Sequence, residues 1–210
     1  MEHLEQNIAQ SLLQIKAIKL QPANPFTWAS GWKSPIYCDN RKTLSYPEVR
    51  DFIKNSFVEV ITKKFEKPDY IAGVATGAIA IGALVADALN LPFGYVRPKP
   101  KEHGLGNQIE GEIPEKKKVI VIEDLVSTGK SSLNAIQALR SQNIEVLGMV
   151  AIFTYGFKIA RDNFKEAKVP LKTLSDYNQL IEVALNTGYI KKSDLETLNH
   201  WRDTPDIWGK

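Results

Sequence analysis

The sequence predicts an α/β protein built on a parallel sheet flanked by helices, and three observations carry that prediction. From Pro68 onward, short β-rich runs alternate with turns and helical patterns, the order that parallel strands joined by helical crossovers produce. One of those runs, KKVIVIE at 117–123, is almost continuously apolar, which suits a strand covered on both faces. The chain has 210 residues, 43% of them hydrophobic, enough for one domain with an appended subdomain.

Taken in order, residues 3–19 place Leu4, Ile8, Leu12 and Ile15 near helical spacing, which predicts an amphipathic helix. The next stretch, QPANPFTWASGWKSPIYCDNR at 21–41, mixes Pro, Gly, aromatic and small polar residues and suits loops and a hairpin. A second helix starts at Ser45, with Pro47 in its first turn and Glu48 three residues on as in a capping box. Val49, Phe52, Ile53, Phe57, Val60 and Ile61 give it one apolar face. Then come a strand at DYIAGV (69–74), a turn at ATG (75–77), a helix at 78–90 and a strand at PFGYVR (92–97). Residues 98–115 are rich in Pro, Gly and charge without periodicity, and a stretch of that kind inside a compact domain is usually a functional loop. The strand at 117–123 leads through the turn DLVSTG (124–129) into a helix at 130–142, and IEVLGMVAIF (144–153) is another strand. PLKTL (170–174) reads as one more, followed by helices near 176–187 and 193–201, with Trp201 and Trp208 as packing anchors.

Composition narrows the class. No apolar run approaches the roughly 18 residues of a membrane span, and the start MEHLEQNIAQ lacks the basic and apolar regions of an export signal. The single cysteine, Cys38, forms no internal disulfide and supplies no Cys/His cluster for zinc, in keeping with a cytoplasmic protein. In SPIYCDN it reads as a small strand residue rather than a nucleophile. A net charge of +3 does not argue for nucleic acid, and the basic run RPKPKEHG (97–104) holds no aromatic residue on which bases would stack. Its partners are better sought among small polyanions.

The chemistry concentrates in VIVIEDLVSTGKSS, residues 119–132. A strand ends in two carboxylates, Glu123 and Asp124, and small hydroxyl and glycine residues turn it into a helix. The backbone N–H groups of Ser127, Thr128, Gly129, Lys130 and Ser131 would be open at that helix start, where the dipole favours an anion. Gly129 allows close backbone approach, and the Ser/Thr hydroxyls add donors. Carboxylates just upstream accept from sugar hydroxyls, so the pattern describes a phosphate attached to a ribose. The tail TGKSS invites comparison with the GxxxxGK[ST] loop of nucleotide triphosphatases, but its first glycine would fall on Asp124. A carboxylate there would repel a triphosphate. An ordinary strand-to-helix turn capped by Asp124 accounts for one acid, but not for the pair with its glycine and hydroxyl run.

That run resembles the motif for phosphoribosyl pyrophosphate (PRPP) of type I phosphoribosyltransferases. PFTWASGWKSPIYCDNR (25–41) and YVRPKPKEHGLGNQIEG (95–111) are similar to orotate phosphoribosyltransferases, and the likeness extends over most of the chain. The resemblance implies the type I phosphoribosyltransferase fold, with an α/β core at 66–170 and a small hood from residues 1–65 and the C-terminal helices at 171–210. It implies transfer of the 5-phosphoribosyl group from PRPP to orotate, giving orotidine 5'-monophosphate and pyrophosphate in pyrimidine synthesis. Glu123 and Asp124 would hold the ribose hydroxyls, Leu125, Val126, Ser127, Thr128, Gly129, Lys130 and Ser131 the 5-phosphate, and Ser127 the orotate as well. Arg97, Lys101 and His103 match cations of a mobile loop, 98–111, shared across a homodimer, and Ala75, Thr76 and Gly77 match the pyrophosphate loop. Lys101, His103 and Asp124 are the catalytic candidates, and Mg²⁺ is implied, held by substrate and water more than by protein.

The residues themselves agree with the loop's role, since Arg97, Lys99, Lys101 and His103 alternate and would converge on one anion if extended. Gly104, Gly106 and Gly111 would let it close over the site. The chain also departs from some family members, which carry a lysine where it has Ala29, another at Gly77, a loop cation at Pro98, and an orotate-contacting arginine missing from FTYGF (153–157). The expectation is that Lys33 or Arg41, with amides near Ser30 and Gly31, takes the orotate carboxylate. A purine phosphoribosyltransferase is disfavoured by SGWKSPIYCDNR, and a non-catalytic PRPP-sensing regulator by the retained loop cations and the lack of room for a DNA-binding module.

Overall fold

A computed structural model describes residues 3–28, 30–99 and 108–209. Its centre is a six-stranded sheet in the order β10-β9-β8-β5-β6-β7. The strands are β5 (Tyr70–Val74), β6 (Phe93–Val96), β7 (Ile109–Glu110), β8 (Lys118–Val126), β9 (Glu145–Thr154) and β10 (Leu171–Asp176). Neighbours pair in parallel except β7, which runs antiparallel to β6. The alternation expected from Pro68 onward is therefore the sheet itself, with α3 (Ile79–Leu89), α4 (Lys130–Ser141) and α5 (Lys158–Glu166) as crossovers.

Strand alternation divides the apolar side chains between two layers. Ile120 and Ile122 of β8 face one layer with Ile53 and Phe57 of α2 (Pro47–Lys64) and Val85 of α3. Val119 and Val121 face the other, against Ile136 and Leu139 of α4 and Phe164 of α5. The first layer continues into a hood made of α1 (Leu4–Gln14), α6 (Tyr177–Asn186) and α7 (Leu195–Asp203). Small antiparallel pairs complete it: β1 (Ile18–Leu20) with β4 (Ile36–Cys38), and β2 (Phe26–Thr27) with β3 (Lys33–Ser34). No helix among the described residues is long and apolar enough to cross a membrane.

Four local expectations are corrected. The first helix ends at Gln14, because Ala17, Ile18 and Leu20 are buried through a strand instead. Ser45 does not cap α2: it closes a 3-10 helix over Asn40–Ser45, leaving Tyr46 as the N-cap without a side-chain bond. β8 runs on through Leu125 and Val126, which pair with Phe153 and Thr154, so the turn begins later than the apolar run suggests. The loop expected over 98–115 contains β7, and Arg97 N–H donates to the Gln108 carbonyl at 2.8 Å. The excursion thus leaves and re-enters the sheet at one edge.

Candidate active site

At the carboxyl end of β8 the two acids behave differently. Glu123 is 4% exposed. Its Oε2 accepts from Ser132 Oγ at 2.8 Å and its Oε1 from the Asp124 N–H at 3.0 Å. Burial, with the neighbouring Asp124 charge, pushes its carboxyl well above the usual range. Asp124 is half-buried and its pKa is also raised by burial, though Arg41 and nearby N–H groups pull the other way. Its carbonyl accepts from Asn40 Nδ2 at 2.6 Å, which ties the hood to the acid pair. A β-carbon on Gly77 would run into the Asp124 carboxylate, so the turn at 75–77 packs on this acid only because residue 77 is glycine. The Ala75–Thr76 peptide is cis.

Beyond Val126 the chain enters α4 through Gly129, at φ +80. A side chain there would be strained, and its β-carbon would stand 2.9 Å from Phe164 Cε2. The N–H groups of Ser127, Thr128, Gly129, Lys130 and Ser131 donate to no described residue, and they sit at a helix N-terminus, where an anion is favoured. Asn163 of α5 braces the turn by donating to the Thr128 carbonyl at 3.1 Å.

Beside this cradle lies a cavity of about 270 Å³. Leu125 and Ser127 form one wall, Thr27, Trp28, Tyr37 and Cys38 of the hood another, and Tyr155 at the end of β9 a third. Trp28 stacks on Tyr155 with ring centroids 5.2 Å apart and donates Nε1–H to the Ile36 carbonyl at 3.0 Å. A larger cavity of about 440 Å³ lies among His3, Val60, Lys64 and Lys172. It holds none of the acid pair or the turn, whereas ligands of open α/β sheets bind at the carboxyl ends of strands.

The profile described as "Phosphoribosyl transferase domain" matches residues 42–186. A protein from Bacteroides thetaiotaomicron named orotate phosphoribosyltransferase is 62% identical over 208 residues, 99% of this chain and 98% of its own. The chain belongs to the orotate phosphoribosyltransferase family. A relative of the same name from Porphyromonas gingivalis is 60% identical over 209 residues, 100% of both chains. The crystal structure of orotate phosphoribosyltransferase from Aeropyrum pernix superposes with a TM-score of 0.75 at 28% identity, covering 88% of this chain and 99% of that one.

Of the residues singled out from sequence, Glu123, Asp124 and 125–131 follow one another at the carboxyl end of β8, the turn at 75–77 packs on Asp124 through Gly77, and Leu125 and Ser127 line the neighbouring cavity. Arg97 stands at the end of β6, its Nη1 3.6 Å from Glu110 Oε1. Lys101 and His103 lie outside the described residues. Ser30 and Gly31 are exposed in the turn between β2 and β3. Lys33 donates from Nζ to Thr27 Oγ1 at 2.9 Å, beside the cavity wall, while Arg41 is exposed and paired with Asp39 at 2.8 Å. Sequence reasoning missed Trp28, Tyr37, Cys38, Tyr155 and Asn40 as parts of the site. Two signals were available: the aromatic content of FTWASGW, and the position of FTYGF at a strand's carboxyl end.

Proposed function

We propose that this chain transfers the 5-phosphoribosyl group of PRPP to orotate, releasing pyrophosphate. One observation carries the reading: Ser127 belongs both to the anion cradle and to the wall of the aromatic-sided cavity, with Leu125, just upstream on β8, beside it. A phosphate held on the open N–H groups and a planar base held between the hood and Tyr155 would meet over the ribose. Asp124, half-buried beside Gly77, accepts hydrogen bonds from the ribose hydroxyls. Glu123, expected from the resemblance to hold ribose hydroxyls too, is 4% exposed with both oxygens engaged by Ser132 and the Asp124 N–H, and is assigned instead to holding that acid and the start of α4 in place.

Orotate N1 supplies the electron pair of the new bond to the anomeric carbon and gives up its proton to the departing pyrophosphate or to water, while the electron pair of the breaking C1–O bond leaves with pyrophosphate. Negative charge grows on the leaving group, so cations placed there stabilise the transition state more than the ground state. Arg97, Lys99, Lys101 and His103 are assigned that task, on a loop that a homodimer partner lends to the site. Such a mechanism needs no protein nucleophile.

Magnesium suits the donor set. Mg²⁺ is a hard cation that takes oxygen ligands and keeps several waters, so the oxygens of PRPP and water would hold it, with the Asp124 carboxylate nearby. When bound, it offsets diphosphate charge. The reading places the enzyme in the cytoplasm, in pyrimidine synthesis.

The test mixes purified protein with orotate, PRPP and Mg²⁺ and follows the loss of orotate absorbance. Turnover with orotate and none with hypoxanthine or uracil is the expected result. Turnover with hypoxanthine instead would overturn the assignment of the base.

A further inference from the structure

Tyr155 is 2% exposed. Its ring is fixed between Trp28, Phe157 and Trp201, at centroid distances of 5.2, 5.4 and 5.5 Å. The hydroxyl, by contrast, makes no hydrogen bond to any described residue, and it is not among the sealed side-chain atoms without a partner, which among the described residues are Arg50 Nε and Trp201 Nε1. The residue lines both the cavity beside the cradle and a second one among Arg161, Asp176 and Arg202; the groups that act most on its hydroxyl, Cys38 and then Asp124, stand at the first, so the oxygen faces that space. A rigid, unpartnered donor in a largely apolar wall is costly unless something accepts from it.

The other donors of the cavity are differently placed: Ser127 belongs also to the anion cradle, and Cys38 Sγ donates to Asn40 Oδ1 at 3.3 Å. Trp28 Nε1 is committed to the Ile36 carbonyl, and Tyr37, 41% exposed, is at the rim. Thr27 is exposed and already accepts from Lys33 Nζ. No Lys, Arg or His lines the cavity; the Lys33 ammonium approaches from outside.

We infer that the Tyr155 hydroxyl is a substrate-binding donor that fixes how a carboxylated pyrimidine lies in the cavity, with an exocyclic carbonyl oxygen inward on Tyr155 and the carboxylate outward towards Lys33. The inference rests on the orotate reading above. The physical reason is the cost of desolvation: a neutral carbonyl can be buried against a phenol, whereas a carboxylate buried without a cation cannot be compensated as well. Burial first, then the nearby Cys38 and Asp124, raises the phenol pKa well above its usual value and keeps it a donor.

Tyr155→Phe retains the packed ring and removes only the oxygen. Thermal unfolding and KM for PRPP should match the wild type, while KM for orotate rises about five- to tenfold, the loss of one neutral hydrogen bond. Thio-orotates distinguish a contact from a general disturbance, because sulfur accepts poorly. The wild type should prefer orotate over the 2-thio or the 4-thio analogue, and the variant should lose that preference for the analogue whose oxygen meets Tyr155. An unchanged orotate KM, or a parallel rise for orotate and both analogues with their ratios intact, overturns the inference. A wild type that does not turn over orotate at all overturns the proposed function instead.

Discussion

At the scale of single residues, the acid pair carries a pH dependence whose sign follows from burial. Glu123 and Asp124 are both held above the ordinary carboxyl range. In the folded protein they keep protons that the unfolded chain has already released, so stability falls as pH rises from about 4 towards their folded values. Melting of ligand-free protein in steps of pH should show that decline, and Glu123→Gln should flatten it. Catalysis runs the opposite way. The ribose hydroxyls need Asp124 ionised, so kcat/KM for PRPP should climb with pH through the same window, and Asp124→Asn should lose the limb with most of the activity. The pair was legible in the sequence because two adjacent acids at the end of an apolar strand are unusual. Their unequal burial was not, since it depends on Ser132 and Gly77, which the fold alone brings to them. Tyr155 was illegible for the same reason: FTYGF gives an aromatic residue at a strand end, but only Trp28, far away in sequence, turns it towards a cavity.

At the scale of elements, the periodic segments were the legible ones. β5, β8 and β9 are apolar runs of the expected kind, and α4 carries its buried residues on one face. α5 was missed, because KIARDNFKE buries only Ala160 and Phe164 and otherwise reads as solvated charge. That helix nevertheless touches the site, through Asn163 on Thr128 and Phe164 on Gly129. α7 has a comparable role on the opposite side. Trp201 is fully buried and meets Trp28 edge-on with centroids 5.7 Å apart, and Tyr155 in the same manner. Trp201→Ala should cost about 3–5 kcal/mol of stability, as truncation of large core aromatics does, and chemical denaturation would measure it. Because Trp201 backs two of the three walls of the cavity assigned to the base, at Trp28 and Tyr155, the folded variant should show a raised KM for orotate and a nearly unchanged KM for PRPP.

At the scale of the whole molecule, the proposed sharing of the loop between subunits has a direct test. Lys101→Ala and Asp124→Asn protomers, each inactive alone, should regain part of the activity when unfolded together and refolded, since a mixed dimer contains one site with an intact loop and an intact acid. No recovery despite dimer formation would place loop and acid in the same subunit. The sheet and its two layers were foreseeable from alternation, whereas the hood of residues 1–65 and 171–210 was expected only through the family resemblance, because its pieces lie at opposite ends of the chain. Trp28 meets Trp201, and Ser175 Oγ donates to the Glu5 carbonyl at 2.8 Å. In synthesis, β8 and the turn assigned to the sugar phosphate, ending at Ser131, are made before α7, which backs the aromatic wall. On that assignment, the part of the chain that captures the donor precedes the part that selects the base.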